Sequence, residues 1–292
     1  MRDYIIMTDS CCDLSQQEVE ELELTVLPLS FTIEGKTLLN TPDHADMSPE
    51  EFFAKIAAGA DCTTAAVNVG QFTDAMEKAL QEGKDILCVC FSSALSTTYQ
   101  SACIAAEDLR EKYPEAKILV IDSLSASRGQ GMLLYRAVRE RREKNLTIDE
   151  LDAYVRSIIQ SQCHWFIVDD LNHLKRGGRV SSTAALVGTM LGIKPVMHTD
   201  SEGRLTPVSK ARGTKAAVPA RVDKVGESGG EPAKNQPMHI CPANCPESVE
   251  YVKGLLKERF GVTDVRDEFI GPVIGAHTGC GTLGLFFVGT ER

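Results

Sequence analysis

The sequence lacks a hydrophobic run long enough to cross a membrane. A spanning helix needs ~20 apolar residues, and no stretch of the 292-residue chain approaches that length. No secretory pattern is visible either, because the first three residues lead straight into a short apolar strand pattern at positions 4–7. We therefore expect a cytoplasmic protein with no integral membrane segment.

An excess of positive charge is also absent. The chain has 31 Lys and Arg residues against 41 Asp and Glu residues, a net charge of −10. Because binding to a nucleic-acid backbone needs a surplus of basic residues, we expect no general nucleic-acid binding. Residues 171–199 are a local exception, with four basic residues and no Asp or Glu. This basic region could capture an anionic ligand or an acidic partner, or it could be scattered solvated charge.

The ten cysteines lack the spacing of a metal site. Cys88 and Cys90 alternate within an apolar strand pattern, which is typical of residues buried in a core. Cys241 and Cys245 are four residues apart, but no second Cys/His pair lies nearby to complete a zinc site. We therefore predict no metal and no cofactor.

What the sequence does contain is an alternation of strand and helix patterns over its first two-thirds. Apolar strand patterns at 4–7, 86–91 and 117–121 are separated by helical patterns such as the one at 96–112. This order predicts an α/β fold with a largely parallel N-terminal sheet flanked by helices. Beyond residue 160 the pattern changes, and residues 225–237, rich in Gly and Pro, are predicted as a flexible loop. We place an N-terminal α/β domain at 1–160 and a smaller C-terminal α/β domain at 161–292.

A cluster of hydroxyl side chains at 92–98 follows the apolar run at 86–90 and precedes the helical pattern. The first turn of a helix has free N–H groups, and hydroxyls beside them make an anion site. The segment contains no acid, His or Lys that could activate a nucleophile. We therefore expect the cluster to hold an anion rather than to attack a substrate.

Three further polar turns accompany this cluster: Thr63-Thr64, the segment Arg176-Gly177-Gly178-Arg179, and a glycine-rich turn around His277. Taken alone, His277 could be a structural histidine and Thr64 a helix cap, and the sequence does not establish that the turns converge. Literal matches to a nucleophile elbow at 226–230 and to a dinucleotide fingerprint at 279–284 lack the strand and helix context that each chemistry requires.

The ordered motifs resemble the DegV family over nearly the full length of the chain. The residues that carry the resemblance are Thr8-Asp9-Ser10, Asp13-Leu14, Pro28-Leu29, Thr64, Ser92-Ser93, Leu95-Ser96, Thr98-Tyr99, Asp122-Ser123, Asp169-Asp170-Leu171, Leu174, Gly177-Gly178-Arg179-Val180-Ser181, Lys194-Pro195, Lys210, Arg212-Gly213, Lys215, His277-Thr278-Gly279 and Gly281. So many blocks in the same order make the match specific.

The resemblance implies a two-domain α/β protein that encloses one long-chain fatty acid, with the ligand site between the domains. Its motifs place the fatty-acid carboxylate against Thr64, Ser93 and His277, with Ser92 and Ser96 as neighbours. The resemblance also implies that the chain is not itself an enzyme and that it presents the acyl group to a separate fatty acid kinase.

Three basic residues match family positions that could support the head group or the docking of that kinase: Arg179, Lys210 and Arg212. The chain departs from the family pattern at three places. Residues 65–67 are Ala-Ala-Val in place of the usual Ser-Gln-Pro, Thr97 replaces a usual Gly, and Cys280 replaces a usual Pro. The first change removes a hydroxyl and an amide, so we expect more of the carboxylate contact to fall on the 92–98 cluster.

Two alternatives to fatty-acid binding stay open at this stage. The first is a phosphotransferase or hydrolase that uses Ser93 with His277, oriented by an acid such as Asp9 or Asp122. The second is a regulatory interaction module that uses the basic region without any lipid.

Overall fold

The computed structural model describes residues 2–181, 192–234, 236–290 and 292. The strands are β1 (Tyr4–Asp9), β2 (Leu24–Leu27), β3 (Ser30–Ile33), β4 (Lys36–Leu39), β5 (Cys62–Ala65), β6 (Asp85–Cys90), β7 (Ile118–Asp122), β8 (Gln162–Ile167), β9 (Ile193–Thr199), β10 (Leu205–Arg212), β11 (Met238–Pro242), β12 (Val265–Asp267) and β13 (Leu283–Val288). The helices are α1 (Gln16–Glu21), α2 (Pro49–Ala57), α3 (Val69–Gln81), α4 (Thr98–Lys112), α5 (Arg128–Lys144), α6 (Ile148–Ile158), α7 (Leu171–Arg176), α8 (Thr214–Ser228), α9 (Gly230–Lys234), α10 (Glu247–Phe260) and α11 (Pro272–Thr278). Part of the basic region, residues 182–191, lies outside the described residues.

A four-stranded parallel sheet in the order β2-β1-β6-β7 is the centre of the first half of the chain. All six residues of β6 are buried, because helices cover both faces of the sheet and apolar side chains can point either way. A separate antiparallel sheet, β4-β3-β5, lies beside it. The α/β class and the largely parallel N-terminal sheet are confirmed.

Several helices of this half begin at residues whose side chains cap the first turn. Ser15 and Thr147 each form a capping box with a glutamate three residues later, and Ser48 caps α2 with Pro49 in its first turn. Helix α4 differs, because its N-cap residue Thr97 makes no side-chain cap bond. The positive end of α4 is therefore not neutralised by its own N-cap.

The strands of the second half form a six-stranded mixed sheet in the order β10-β9-β8-β13-β11-β12. Its first strand in sequence, β8, begins at Gln162, close to the predicted division at residue 160, and that division into domains stays a prediction. The predicted flexible loop at 225–237 is wrong, because α8 continues to Ser228 and α9 follows directly. Gly226 lies close to the ring of Phe260, since a Cβ there would stand 3.0 Å from a ring carbon. In this case the glycine marks helix packing rather than a turn.

Buried polar contacts join the two halves. Asp13 accepts hydrogen bonds from the Ser127 hydroxyl at 2.5 Å and from the Gly271 backbone N–H at 3.2 Å. Arg128 is 3% exposed and pairs with Glu18 at 2.6 Å and with Glu268, across the boundary, at 3.2 Å. These two carboxylates raise the pKa of the Arg128 guanidinium against the opposing effect of burial. The sheets are thus held facing each other by paired groups rather than by apolar contact alone.

None of the helices in the described ranges has the length and apolar character that crossing a bilayer demands.

Candidate functional site

A cavity of about 440 Å³ lies between the two halves, within the range typical of small-molecule sites. Its wall combines Leu29 and Phe91 from the first half with Phe166, Ile270 and Phe286 from the second. Among the described residues, no Asp or Glu lines it. The space is therefore apolar over most of its length and carries no negative charge of its own.

Polar side chains gather at the exposed end of this cavity, which we call the polar mouth: Thr64, Ser93, Ser96, Arg179 and His277. Thr64 lies on β5 and His277 on α11, 213 residues apart in sequence, and the Thr64 Oγ1 and His277 Nε2 atoms are 2.8 Å apart. The structure thus brings together two turns whose convergence the sequence did not establish.

His277 is a neutral imidazole at pH 7. Burial, with a smaller contribution from the Arg179 cation, lowers its pKa to about 4. A neutral ring has one donor and one acceptor nitrogen, and the hydroxyl of Thr64 contacts Nε2. The histidine of the mouth therefore supplies hydrogen bonds rather than charge.

Arg179 is the one cation among the described residues of the cavity wall. Its Nε donates to the Leu95 carbonyl at 2.9 Å and its Nη1 donates to the Gly177 carbonyl, whereas Nη2 has no hydrogen-bond partner among the described residues. Burial lowers the pKa of the guanidinium, and no carboxylate within the described ranges is bonded to it. Two backbone carbonyls fix its orientation and leave its charge unpaired.

Gly177, two residues before Arg179, is required by the packing of the site. A Cβ at Gly177 would stand 2.2 Å from His277 Nδ1, which is closer than real contacts allow. The turn at 176–179 therefore needs Gly177 so that the imidazole can lie against the backbone. This explains the Arg-Gly-Gly-Arg segment by packing within the mouth.

The hydroxyl residues at 92–98 do not all line the cavity. Ser93, Ser96 and Thr97 line the cavity, and the backbone N–H of Ser93 donates to Asp122 at 3.2 Å. Ser96 Oγ contacts Thr98 Oγ1 at 2.9 Å. Ser92 instead is fully buried outside the cavity wall, where its hydroxyl donates to the Gly203 carbonyl at 2.9 Å. Ser92 thus has a structural partner in the β9–β10 connection.

The other predicted basic residues lie elsewhere. Lys210 and Arg212 are exposed on the edge strand β10 and do not line the cavity. The acids considered for an enzyme are engaged with backbone: Asp9 accepts from the N–H groups of Phe91 and Cys11, and Asp122 from those of Ser93 and Leu124. No hydrogen bond joins Ser93 to His277 in the described part of the chain.

The polar residues of the cavity wall that sequence reasoning missed include His164 on β8 and Thr199 on β9. They are 2% and 1% exposed, whereas Ser93 of the mouth is exposed. The signal was present in the alternation of β8, where Cys163, Trp165 and Ile167 belong to one core cluster and His164 must point to the opposite face. Across the described ranges, no group of His, Cys, Asp and Glu is arranged to hold a metal ion.

Fold and site define an α/β protein of three sheets, with an apolar cavity and, among the described residues, an unpaired cation at its mouth. The family model described as "Uncharacterised protein, DegV family" matches residues 4–290, and the chain belongs to the DegV family. A DegV domain-containing protein of Clostridium perfringens is 38% identical over 292 residues, covering 100% of this chain and 99% of that relative.

Two solved structures are similar over nearly their whole length. A DegV family protein from Thermus thermophilus, described by its fatty acid binding, is 28% identical with a TM-score of 0.85, covering 99% of this chain and 100% of that chain. A fatty acid binding DegV family protein from Streptococcus agalactiae is 25% identical with a TM-score of 0.86, covering 100% of both chains.

Proposed function

We propose that this chain binds one long-chain fatty acid in the cavity, with the carboxylate at the polar mouth. The observation that carries the proposal is the half-buried guanidinium of Arg179, which pairs with no carboxylate and lies in a wall without acidic residues as far as the described ranges extend. A buried charge without a partner is costly, and an anionic ligand group removes that cost. The similarity to two DegV proteins described as fatty acid binding supports this choice of ligand.

The acyl chain supplies most of the affinity. Each buried CH₂ contributes about 0.8 kcal/mol, and the wall beyond the mouth offers aromatic and aliphatic side chains from both sheets, among them Leu29, Phe91, Phe166 and Phe286. A single chain that touches all four contacts both halves of the protein. A short or branched acid would leave part of this surface uncovered.

The carboxylate is oriented by a charge and by neutral donors. Arg179 Nη2 supplies a charge-assisted hydrogen bond, Thr64 and Ser93 supply hydroxyls, and His277 holds Thr64 in place through the 2.8 Å contact. The N-terminus of α4, where Thr97 makes no side-chain cap bond and the Thr98 N–H donates to Ser96 Oγ at 3.2 Å, adds a favourable dipole. With residues 65–67 reduced to Ala-Ala-Val, we assign more of the head-group contact to Arg179 and Ser93.

Comparing palmitate with its methyl ester tests this orientation of the ligand. After delipidation, palmitate and methyl palmitate are titrated into the protein and followed by native mass spectrometry. We expect one bound acid per chain and a much weaker ester, because the ester carries no charge for Arg179. Equal affinity would place the head group elsewhere, and failure to bind either compound would refute lipid binding altogether.

We further propose that the protein carries the fatty acid without changing it chemically and presents it to a kinase. Lys210 and Arg212, exposed and without an acidic partner among the described residues, are the proposed docking residues on β10. Incubation of the loaded chain with ATP, Mg²⁺ and hydroxylamine should give no acyl hydroxamate. Hydroxamate formed by the purified chain alone would assign the activation step to this protein itself.

A further inference from the structure

His164 and Thr199 form a second polar group in the cavity, which we call the deep pair. Strands β8 and β9 are antiparallel, with Trp165 opposite His198 and Phe166 opposite Met197. The next positions in this register are 164 and 199, so the two side chains stand on the same face of adjacent strands. Both line the cavity, at 2% and 1% exposure.

Within the described part of the chain, neither member of the deep pair has a hydrogen-bond partner for its side chain. Both ring nitrogens of His164 are buried and unpartnered, and the Thr199 hydroxyl makes no hydrogen bond among the described residues. Two other threonines of the wall behave differently, because Thr278 donates to the Ile274 carbonyl at 3.2 Å and Thr282 to the Thr278 carbonyl at 3.0 Å. Buried polar groups are nearly always hydrogen-bonded, so the deep pair stands out from the rest of the wall.

The fold makes room for the imidazole at a specific position. A Cβ on Gly129, in the first turn of α5, would stand 1.6 Å from His164 Nε2. Any other residue at 129 would therefore displace the ring. Phe286 meets the imidazole edge-on, with the ring centroids 5.7 Å apart, and holds it at the wall. A phenylalanine or leucine at 164 would suit an apolar tail better. The polar ring therefore indicates a ligand that carries a polar group at this depth.

We propose that the deep pair binds an oxygen carried on the acyl chain itself, so that the preferred ligand is a hydroxylated long-chain fatty acid. A hydroxyl both donates and accepts, as the Thr199 hydroxyl and a neutral imidazole do between them. Burial lowers the pKa of His164 well below its usual value, so the ring is uncharged. The nearby cation Arg292, which also lowers this pKa, does not line the cavity and donates to four backbone carbonyls. A second carboxylate at this depth would gain no direct ion pair, which disfavours dicarboxylic acids as the preferred class. This inference rests on the proposed fatty-acid binding.

The test compares stearate with a series of hydroxystearates that carry the hydroxyl at different positions along the chain. Affinities are measured by competition in native mass spectrometry. We expect one position in the series to bind about 3- to 10-fold more tightly than stearate, since one hydrogen bond is gained. Hydroxyls placed elsewhere should weaken binding, because they are buried in an apolar wall.

Thr199→Val keeps the shape of the side chain and removes the hydroxyl, and we expect it to abolish most of that preference while stearate binding is retained. His164→Leu should do the same from the other side of the pair. Thr278→Val is the matched control, because the hydroxyl of Thr278 is already bonded to its own helix, and it should leave the preference unchanged.

The outcomes separate the two proposals. Failure of the wild-type protein to bind stearate and every hydroxystearate would overturn fatty-acid binding itself. Binding of stearate with no hydroxystearate preferred would overturn only the role of the deep pair. An equal loss of preference in Thr199→Val and Thr278→Val would also overturn it, because the effect would then come from general loosening of the wall.

Discussion

The polar mouth and the deep pair both contain buried polar side chains, but they differ in charge and in hydrogen bonding. At the polar mouth, Arg179 is fixed by two backbone carbonyls and keeps its charge unpaired, while Thr64 and His277 satisfy each other. In the deep pair, neither side chain is charged, both ring nitrogens of His164 are buried without a partner, and the Thr199 hydroxyl makes no hydrogen bond among the described residues. A charge unpaired at one end and hydrogen bonds unmade at the other indicate a ligand with an anionic head and a neutral polar group further along.

Removing the charge of Arg179 at the mouth should have the largest effect, and that effect is on the affinity for the fatty acid. Arg179→Met keeps a long apolar side chain and removes the charge-assisted hydrogen bond, so affinity for palmitate should fall about 10- to 100-fold. Arg176→Met is the control, because Arg176 is exposed and contacts only His173 among the described residues. If both variants bind palmitate equally well, the charge that matters is not at the mouth.

Crowding the deep end should have an intermediate effect, on stability rather than on head-group binding. Gly129→Ala places a methyl group on the His164 ring, and overpacking of this kind costs about 1–3 kcal/mol. Gly254→Ala on α10 is the control, because nothing lies within 4 Å of its Cβ position, and Ala there should stabilise the helix by about 0.5–1 kcal/mol. Thermal unfolding of the two variants should therefore move in opposite directions. Stabilisation of both variants would show that the His164 ring has room to move.

The smallest effect is expected at the neutral part of the mouth. Thr64→Val removes the hydroxyl that contacts His277 Nε2, and the loss of one neutral hydrogen bond should weaken palmitate binding about 2- to 10-fold. Thr63→Val, the exposed neighbour on the same strand, should bind palmitate like the wild type. A Thr64→Val loss as large as that of Arg179→Met would mean that the hydroxyls, not the charge, hold the carboxylate.

The elements of the N-terminal half could be predicted because their signals are local. After Asp85, strand β6 is an unbroken apolar run, and α2 begins with a serine cap followed by proline. The Gly- and Pro-rich segment at 225–237 could not be read in this way. The glycine at 226 is there because Phe260, 34 residues later, packs against it.

Some features of the site could likewise be predicted from the sequence, and others depend on the folded chain. The family pattern pointed to Thr64 and His277, but their contact spans 213 residues and only the folded chain brings them together. Ser92 and Ser93 are neighbours in sequence, yet one hydroxyl is tied to the Gly203 carbonyl outside the cavity wall and the other residue lines the mouth. The role of Gly177 is equally invisible in sequence, because it depends on where the imidazole of His277 lies.

The cavity wall is built from both sheets, and this has a consequence for how the protein responds to its cargo. A molecule that touches Phe91 on one side and Phe286 on the other acts as a shared piece of core, adding to the apolar cluster and to the polar contacts, such as that of Asp13 with Gly271, that already join the two halves. Loading should therefore raise the melting temperature of both halves together and slow backbone hydrogen exchange at their boundary. The lipid would be cargo and structural element at once.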